Sequence, residues 1–352
     1  MKRNKLYFII FAIIFIFIQY IIKPKFSRKE NIYYEEMILA YKKMHNIIEV
    51  IKEERLNAGI TIDKTIDINN TGIVGDEWSD ITTTLGDLPA KRTTTNPDFA
   101  AIFVKIFKEL KLKKGDIVAA NLSSSFPALN FALISALDTL GLKGVIVNSV
   151  GASMFGGNLV EFTYLDMENA LYSKNIIKNK SIGYSLGGVG DIGKEFEKDV
   201  KLKIIEKNKK YNIKFFYEED FNESLNERYD FYKSKGNIKA FINIGGNLLA
   251  TGGKYFEIDN SHILLDKNTD VDDGLVGKFL SDNIPVLYLL NIKNICIYFN
   301  LSYDPYPMPK MGTSDIYYEN TKDKFSNFLI IGLFIIFIII LKYKKNIHKK
   351  LI

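Results

Sequence analysis

The clearest pattern of apolar and polar positions lies in residues 115–153. The short apolar run Ile117–Leu122 follows Gly-Asp and precedes three serines, which predicts a buried strand that ends in a tight turn. From Phe126 to Leu140 apolar residues recur at helical spacing, with Pro127 in the first turn, where its missing N–H does no harm. Val145–Val150 then predicts a second buried strand. The stretch is therefore predicted to form a βαβ unit.

The same alternation continues towards the carboxyl terminus. Further strands are predicted at Ser181–Tyr184, Ile213–Tyr217, Ile238–Ile244 and Val286–Leu290, with Ile295–Phe299 as a strand or a buried helix turn. Helices are predicted at Glu161–Ile176, from the loop after Gly193 to Tyr211, at Leu225–Lys235 and at Asp273–Leu280. This order predicts an α/β fold with a mostly parallel, doubly wound, Rossmann-like sheet that helices cover on both faces.

Four of the predicted strands end in loops rich in serine, glycine or asparagine. In a parallel sheet these loops emerge at one edge, where α/β proteins bind ligands. We therefore expect Ser125, Ser153, Asp191 and Gly246 to converge, although they lie far apart in the sequence. The full set of candidate ligand-binding residues in these loops is Ser123, Ser124, Ser125, Ser149, Ser153, Asp191, Gly245 and Gly246.

Asn96-Pro97 predicts the start of a helix, and the segment just before it is a second candidate ligand-binding segment. Arg92 and Thr95 in this segment could hold an anion together with free helix N–H groups. Arg92 is preferred over Lys91 as the fixed cation because its planar guanidinium can bind a carboxylate at two points. The alternative is a solvated loop with an ordinary helix cap.

Two apolar segments, 6–22 and 325–341, are each 17 residues long and lie next to lysines. Both fit a lipid-spanning helix of roughly 17 to 25 residues, so we predict two transmembrane helices in the plasma membrane. A buried helix is the alternative for each. The first could also be a cleaved signal peptide, but no A-x-A-like site follows it, and an uncleaved anchor is preferred.

The lysines that follow the second segment predict the orientation. By the positive-inside rule both termini lie in the cytoplasm and the main domain is extracytoplasmic. Residues 1–25 and 342–352 hold ten basic and no acidic side chains, so the net charge of +6 for the whole chain becomes −4 for the remainder. A mildly acidic interior argues against nucleic-acid binding.

Between the segments, apolar residues at helical spacing predict an amphipathic helix over Tyr33–Leu56. It is interpreted as a stalk that packs on the main domain, or as a partner helix for another membrane subunit. The predicted organisation is a tail and anchor (1–25), the stalk and a linker (26–80), the α/β domain (81–310), a linker (311–324), the second membrane helix (325–341) and a basic tail (342–352).

Several long segments carry a resemblance to a known family. They include TTTLGDLPAKRTTTNPDFAA, KKGDIVAANLSSSFPALN, SVGASMFGGN, EFTYLDME, GGVGDIG, INIGG, IPVLYLLNI and DPYPMP, in order from Ile81 to Pro309. In these the chain resembles the membrane-associated poly-gamma-glutamate system protein family. The resemblance implies an accessory role in making, exporting or retaining poly-γ-glutamate, with glutamyl chains and other membrane subunits of the machinery as partners. It implies a pathway and no particular chemistry.

Two classes of function remain open at this point. The first is a binding module that recognises glutamyl carboxylates. The second is an envelope hydrolase or transferase that acts on the γ-glutamyl amide with Ser125 as nucleophile and His262 as base. Ser125 otherwise serves as a helix cap, and it has no obvious base nearby, which favours the binding module.

No cofactor or metal is predicted. The single cysteine, Cys296, excludes an internal disulfide and a thiolate cluster. The acidic loop that holds Asp266, Asp270, Asp272 and Asp273 lacks the spacing of a calcium loop. The GGVGDIG loop resembles a dinucleotide fingerprint only loosely, and its glycines are interpreted as turn residues.

Overall fold

The computed structural model describes residues 2–17, 20, 28–252, 263–265, 269, 274–320, 328 and 331–339. The chain divides into two units, which are described separately. One comprises Met1–Tyr34 with Tyr317–Ile352, and the other comprises Glu35–Ile316.

The helices are α1 (Lys2–Phe17), α2 (Tyr34–Asn57), α3 (Leu88–Thr94), α4 (Asp98–Glu109), α5 (Pro127–Leu140), α6 (Tyr164–Ser173), α7 (Lys198–Asn208), α8 (Phe221–Lys233), α9 (Leu248–Thr251), α10 (Leu275–Ser281) and α11 (Ile292–Phe299). The strands are β1 (Arg28–Glu30), β2 (Thr82–Thr84), β3 (Ile117–Ser123), β4 (Lys143–Ser149), β5 (Ala152–Ser153), β6 (Ser181–Ser185), β7 (Lys214–Phe215), β8 (Ile238–Ile244), β9 (Leu264–Leu265), β10 (Val286–Leu289) and β11 (Tyr318–Asn320). Residues 331–339 are also helical.

In the smaller unit, the chain segments before and after the main domain lie side by side. Strands β1 and β11 pair antiparallel, and the rings of Phe11 and Phe337 stack with centroids 4.6 Å apart. Among the described residues, no helix is both long and apolar enough to cross a membrane. The segments predicted to span the membrane, 6–22 and 325–341, each include residues outside the described ranges.

The larger unit is built on a sheet of seven described strands in the order β7-β6-β4-β3-β8-β10-β9. Neighbouring strands run parallel except β9, which pairs antiparallel with β10. The prediction of an α/β fold with a mostly parallel sheet is therefore confirmed. The predicted β8 has the observed bounds, and β3, β6 and β10 differ from their predictions by one residue.

Both faces of the sheet are covered because its central strands are apolar on both sides. Ala119, Phe241 and Val286 lie side by side on one face, where α8 and α10 pack on them. The rings of Phe241 and Phe279 stack there with centroids 4.2 Å apart, and burying such a side chain contributes roughly 1.5 to 3 kcal/mol. Helix α5 contacts β3 and β4 and lies against the other face.

Local signals explain where α5 begins and ends. Pro127 occupies its first turn, and Gly141 follows it in the left-handed conformation, with φ 66°. Both features match the prediction, since proline suits the first turn of a helix and glycine suits the position after its end.

Three segments show more structure than the sequence predicts. The stretch before Asn96, for which no helix or strand is predicted, contains β2 and the short helix α3. Residues 295–299, predicted as a strand or a helix turn, are helical and belong to α11. Helix α2, interpreted as a stalk that packs on the main domain, belongs to the unit that holds the sheet and buries its apolar stripe there, which agrees with that packing.

The order of the strands reverses between β3 and β8. From β3 the chain moves outward in one direction through β4, β6 and β7, and then returns to the other side of β3 to form β8 and β10. At such a point the loops that follow the two neighbouring strands diverge and leave a crevice, which is where open α/β sheets bind ligands. A ligand site is therefore expected between the loops that follow β3 and β8.

Candidate functional site

A cavity of about 1080 Å³ lies at this edge of the sheet. Its walls come from the strand-end loops, from the segment 83–91 and from the segment 288–295. Of the predicted ligand-binding residues, the structure brings five to the cavity wall: Ser123, Ser125, Ser149, Ser153 and Gly246. Loops far apart in sequence thus meet at one site.

Lys91 of α3 is the buried cation of this wall, with only 4% of its surface exposed. Its Nζ donates hydrogen bonds to the backbone oxygen of Ser125 at 2.5 Å and to Ser153 Oγ at 2.6 Å. The same Nζ lies 3.7 Å from the centre of the Phe126 ring. Among the described residues, no carboxylate oxygen lies within 4.0 Å of it. Lys91 is therefore a buried amine whose partners are uncharged.

Burial changes the acidity of this amine. Loss of hydration lowers the pKa of Lys91 from 10.5 to about 7, and the negative charge of Asp87 opposes the shift only in part. Near neutral pH the site thus holds comparable populations of ammonium and free amine. The first can attract an anion and the second can accept a proton.

The serines next to Lys91 are held in a fixed arrangement. Ser125 Oγ accepts hydrogen bonds from Ser123 Oγ and from the backbone N–H of Ser153, each at 2.9 Å. Ser123 Oγ also accepts from the backbone N–H of Ser125 at 3.1 Å. We call Lys91, Ser123, Ser125 and Ser153 the Lys91 cluster.

Gly245 allows the two central loops to approach closely. A Cβ at this position would lie 2.6 Å from Ser123 Cβ, which is too close for any real contact. Its φ of +98° is also a conformation that other residues rarely adopt. Gly245 itself is not on the cavity wall, but it lets the loop after β8 lie against the end of β3.

The structure places Arg92 and Thr95 outside the cavity wall. Arg92 forms a two-point ion pair with Asp304, through Nε at 2.7 Å and Nη2 at 2.5 Å, and Thr95 Oγ1 donates to the Arg92 backbone oxygen at 2.7 Å. Consecutive residues of a helix point about 100° apart, and in α3 Lys91 lies on the cavity wall whereas Arg92 points to Asp304. We therefore replace Arg92 by Lys91 as the candidate cation.

Ser124 also lies away from the cavity wall. Its side chain is fully buried, and its Oγ donates to Asn148 Oδ1 at 3.0 Å. Its backbone N–H donates to the backbone oxygen of Ser149 at 3.1 Å, which ties the ends of β3 and β4 together. The hydrogen bonds of Ser124 therefore hold β3 and β4 together, and its hydroxyl group does not face the cavity.

Asp191 lies behind the wall, with 3% of its surface exposed. Its Oδ1 accepts from Ser185 Oγ at 2.8 Å and from Asn247 Nδ2 at 2.7 Å. Its Oδ2 pairs with Arg228 Nη2 at 2.8 Å, and Arg228 Nη1 donates to Asn121 Oδ1 at 3.3 Å. We call Asp191, Arg228, Ser185, Asn247 and Asn121 the Asp191 cluster. Only its Asn247 reaches the cavity wall.

The predicted base and the acidic residues that were considered as a metal site both lie outside the described part of the chain. His262, the candidate base for Ser125, is one of them. The acidic residues Asp266, Asp270, Asp272 and Asp273 are the others.

Lys91 is the candidate residue that the sequence places second to Arg92. The signal for it is Asp87-Leu88-Pro89, because Asp87 caps α3 by accepting a hydrogen bond from the Ala90 N–H at 3.2 Å, and Pro89 lies in the first turn. Recognising this helix would have shown that Lys91 and Arg92 point in different directions.

The charged residues of the wall are balanced in number. Lys91 and the exposed Lys293 contribute positive charge, and Asp87 and Glu195 contribute negative charge. Asp87 caps α3 and Glu195 accepts from the Val189 N–H at 2.9 Å. Net charge therefore does not favour an anion at this wall. The feature that would favour one is the buried Lys91, which has no charged partner within 4.0 Å among the described residues.

Comparison of the chain with family models, with curated proteins and with solved structures gave no match.

Proposed function

We propose that the protein is a membrane-anchored accessory protein of poly-γ-glutamate synthesis, export or retention, and that its cavity binds an anionic glutamyl chain. The observation that carries this proposal is the buried Lys91 amine, which faces a large cavity without a carboxylate partner in the described structure. A buried cation is costly unless it is paired, and a ligand carboxylate would supply the partner.

The size and chemistry of the cavity suit such a ligand. Small-molecule pockets are usually about 300 to 1,000 Å³, and this cavity of about 1080 Å³ has room for more than one glutamyl unit. Hydroxyl groups of Ser123, Ser149 and Ser153 and the side chain of Asn247 lie on its wall. These groups can hydrogen-bond both carboxylates and amides.

The two terminal segments support anchoring in a lipid bilayer. Their described helices expose large apolar side chains, such as Ile13, Ile16, Ile335 and Ile339, and they contact each other through Phe11 and Phe337. Lysines beyond the second segment favour cytoplasmic termini and an extracytoplasmic main domain. A reporter that is active only outside the cytoplasm should be active when fused after Ser314 and silent when fused after Ile352. The reverse pattern would refute this orientation.

The pathway comes from the resemblance to the poly-gamma-glutamate system protein family. This resemblance supports the pathway and implies no particular chemistry. Other membrane subunits of the polymer machinery are the proposed protein partners, and copurification from membranes followed by mass spectrometry would identify them.

Calorimetric titration with a γ-glutamate pentamer tests the binding site. At pH 6, where Lys91 is mostly an ammonium, Lys91→Met should weaken binding by about 10-fold to 100-fold, because a hydrogen bond to a charged group contributes roughly 1.5 to 3 kcal/mol. Arg92→Met is the matched control and should bind as the parent does. Equal affinity for the parent and Lys91→Met, or no saturable binding by the parent, would refute the site.

The pH dependence gives a second readout of the same site. An anion binds the ammonium form, so affinity should fall as the pH rises through about 7, where Lys91 loses its proton. The Lys91→Met variant should show no such fall.

A further inference from the structure

The Lys91 cluster contains a hydroxyl group in direct contact with an amine that can act as a base. Lys91 Nζ and Ser153 Oγ are 2.6 Å apart, both side chains are buried, and both lie on the cavity wall. We infer that Ser153 is a nucleophile activated by Lys91, and that the cavity carries out acyl transfer from an amide or ester carbonyl of its ligand. This inference rests on the proposed function for the location of the site and adds a reaction to it.

The hydrogen bonds around Lys91 fit a free amine. An uncharged amine has two N–H donors and one lone pair. One N–H can donate to the Ser125 backbone oxygen at 2.5 Å. The 2.6 Å hydrogen bond to Ser153 Oγ, which the ammonium donates, then reverses direction, and the lone pair of the amine accepts the proton of the Ser153 hydroxyl. The ring of Phe126, 3.7 Å from Nζ, would then stabilise the ammonium that forms when the proton moves.

The surroundings distinguish Ser153 from Ser125. Ser125 Oγ accepts from Ser123 Oγ and from the Ser153 N–H, and none of its hydrogen-bond partners in the described structure is a basic group. The base required by a serine nucleophile is therefore next to Ser153. Ser125 acts as a positioning residue, because its hydroxyl oxygen holds the backbone of Ser153 in place.

The reaction balances with water as the only co-reactant. Ser153 Oγ adds to the carbonyl carbon and its proton moves to Lys91 Nζ. The carbon–nitrogen bond of an amide then breaks, the leaving amine takes the proton from Lys91, and an ester on Ser153 remains. Water attacks this ester, Lys91 accepts a proton from the water and returns it to Ser153 Oγ, and a carboxylic acid is released. In a glutamyl chain the bond broken is the γ-amide.

The two proposals use opposite protonation states of Lys91. Anion binding requires the ammonium, whereas nucleophile activation requires the amine. With a pKa of about 7, both states are populated near neutral pH. Binding should therefore weaken and serine reactivity should increase as the pH rises from 6 to 8.

A fluorophosphonate probe tests the inference, since it forms a covalent bond to an activated serine with loss of fluoride. With the full-length protein in detergent, peptide mass spectrometry should find the adduct on Ser153, at a rate that rises with pH about a midpoint near 7. Ser153→Ala should abolish this adduct. Lys91→Met should lower the rate by about 100-fold to 10,000-fold, the usual contribution of a general base.

The controls separate reactivity from folding. Ser135→Ala removes another fully buried serine, whose Oγ donates to the Phe131 backbone oxygen at 2.7 Å away from the cavity wall, and it should label as the parent does. Circular dichroism checks that each variant is folded, and Lys91→Gln replaces Lys91→Met if the latter is not. A parent protein that stays unlabelled between pH 6 and 9, or an adduct that persists in Ser153→Ala, would overturn the inference.

The same variants distinguish failure of this inference from failure of the proposed function. If the parent and Ser153→Ala both bind the γ-glutamate pentamer but the parent forms no adduct, the nucleophile is refuted and the binding function stands. If Ser153 is labelled but the pentamer does not bind, the reaction stands and its substrate is another amide or ester.

Discussion

The Lys91 cluster and the Asp191 cluster both bury charge near the carboxyl edge of the sheet, but only one of them is internally neutralised. Arg228 and Asp191 form an ion pair at 2.8 Å with 1% and 3% of their side chains exposed. Lys91 is almost as deeply buried, and its hydrogen-bond partners are a carbonyl and a hydroxyl. The paired charge belongs to the structure of the sheet edge, whereas the unpaired charge is available to a ligand or a proton.

The comparison predicts that breaking the paired cluster has the largest effect on stability. Arg228→Met leaves the Asp191 carboxylate buried without its cation, and loss of one partner from a buried pair typically costs about 3 to 5 kcal/mol. Urea unfolding would measure this loss. Arg228→Met combined with Asp191→Asn should recover part of it, since the remaining charge is then also removed. A single variant as stable as the parent would show that the pair is not structural.

A change at the unpaired cluster should have an intermediate effect that depends on pH. The folded state lowers the pKa of Lys91 to about 7 while the unfolded chain keeps it near 10.5, so the unfolded state binds more protons between these values. The parent should therefore gain stability with rising pH in this window, by up to about 1.4 kcal/mol per pH unit. Lys91→Met removes this gain.

Urea unfolding of both proteins at pH 7, 8 and 9 would measure it. The stability of the parent relative to Lys91→Met should increase at each step. If the difference in stability between the two proteins is the same at every pH, Lys91 keeps its proton in the folded protein and its amine is not available to accept one.

The smallest effect is expected at Arg92, which is paired but closer to solvent. The side chains of Arg92 and Asp304 are 15% and 23% exposed. Pairs near the surface contribute about 0 to 1 kcal/mol, so Arg92→Met should lower the free energy of unfolding by no more than about 1 kcal/mol. A loss as large as that of Arg228→Met would mean that exposure to solvent does not separate the Arg92–Asp304 pair from the Arg228–Asp191 pair.

The sequence was sufficient to predict the central strands because each is a short apolar run with turn residues at both ends. Ile238–Ile244 is an example, and its observed bounds are those predicted. The helix α5 was equally clear because Pro127 and Gly141 mark its ends. The helix α3 is not predicted because its seven residues form only about two turns, which are too few to show an amphipathic pattern.

The sequence predicted which edge of the sheet holds the candidate site, but not which side chains face the cavity. A residue that follows a parallel strand lies at the carboxyl edge of the sheet, and Ser125, Ser153 and Gly246 do meet at this edge. It does not show whether a side chain faces the cavity or the interior, and Asp191 faces Arg228 instead. For Lys91 and Arg92 the chemistry of the side chains favoured arginine, but the direction in which α3 points them decides which one reaches the cavity.

The pairing of β1 with β11 places residues 28–30, which precede the main domain, beside residues 318–320, which follow it. The Asn31 N–H donates to the Tyr317 backbone oxygen at 2.9 Å, and the rings of Tyr34 and Tyr317 have centroids 5.9 Å apart. Residues 35–316 thus form an insert whose entry and exit are adjacent. Such an insert can be excised, closed with a short linker and reopened at an exposed turn such as Gly59, so a circular permutation of the domain should preserve its sheet and its cavity.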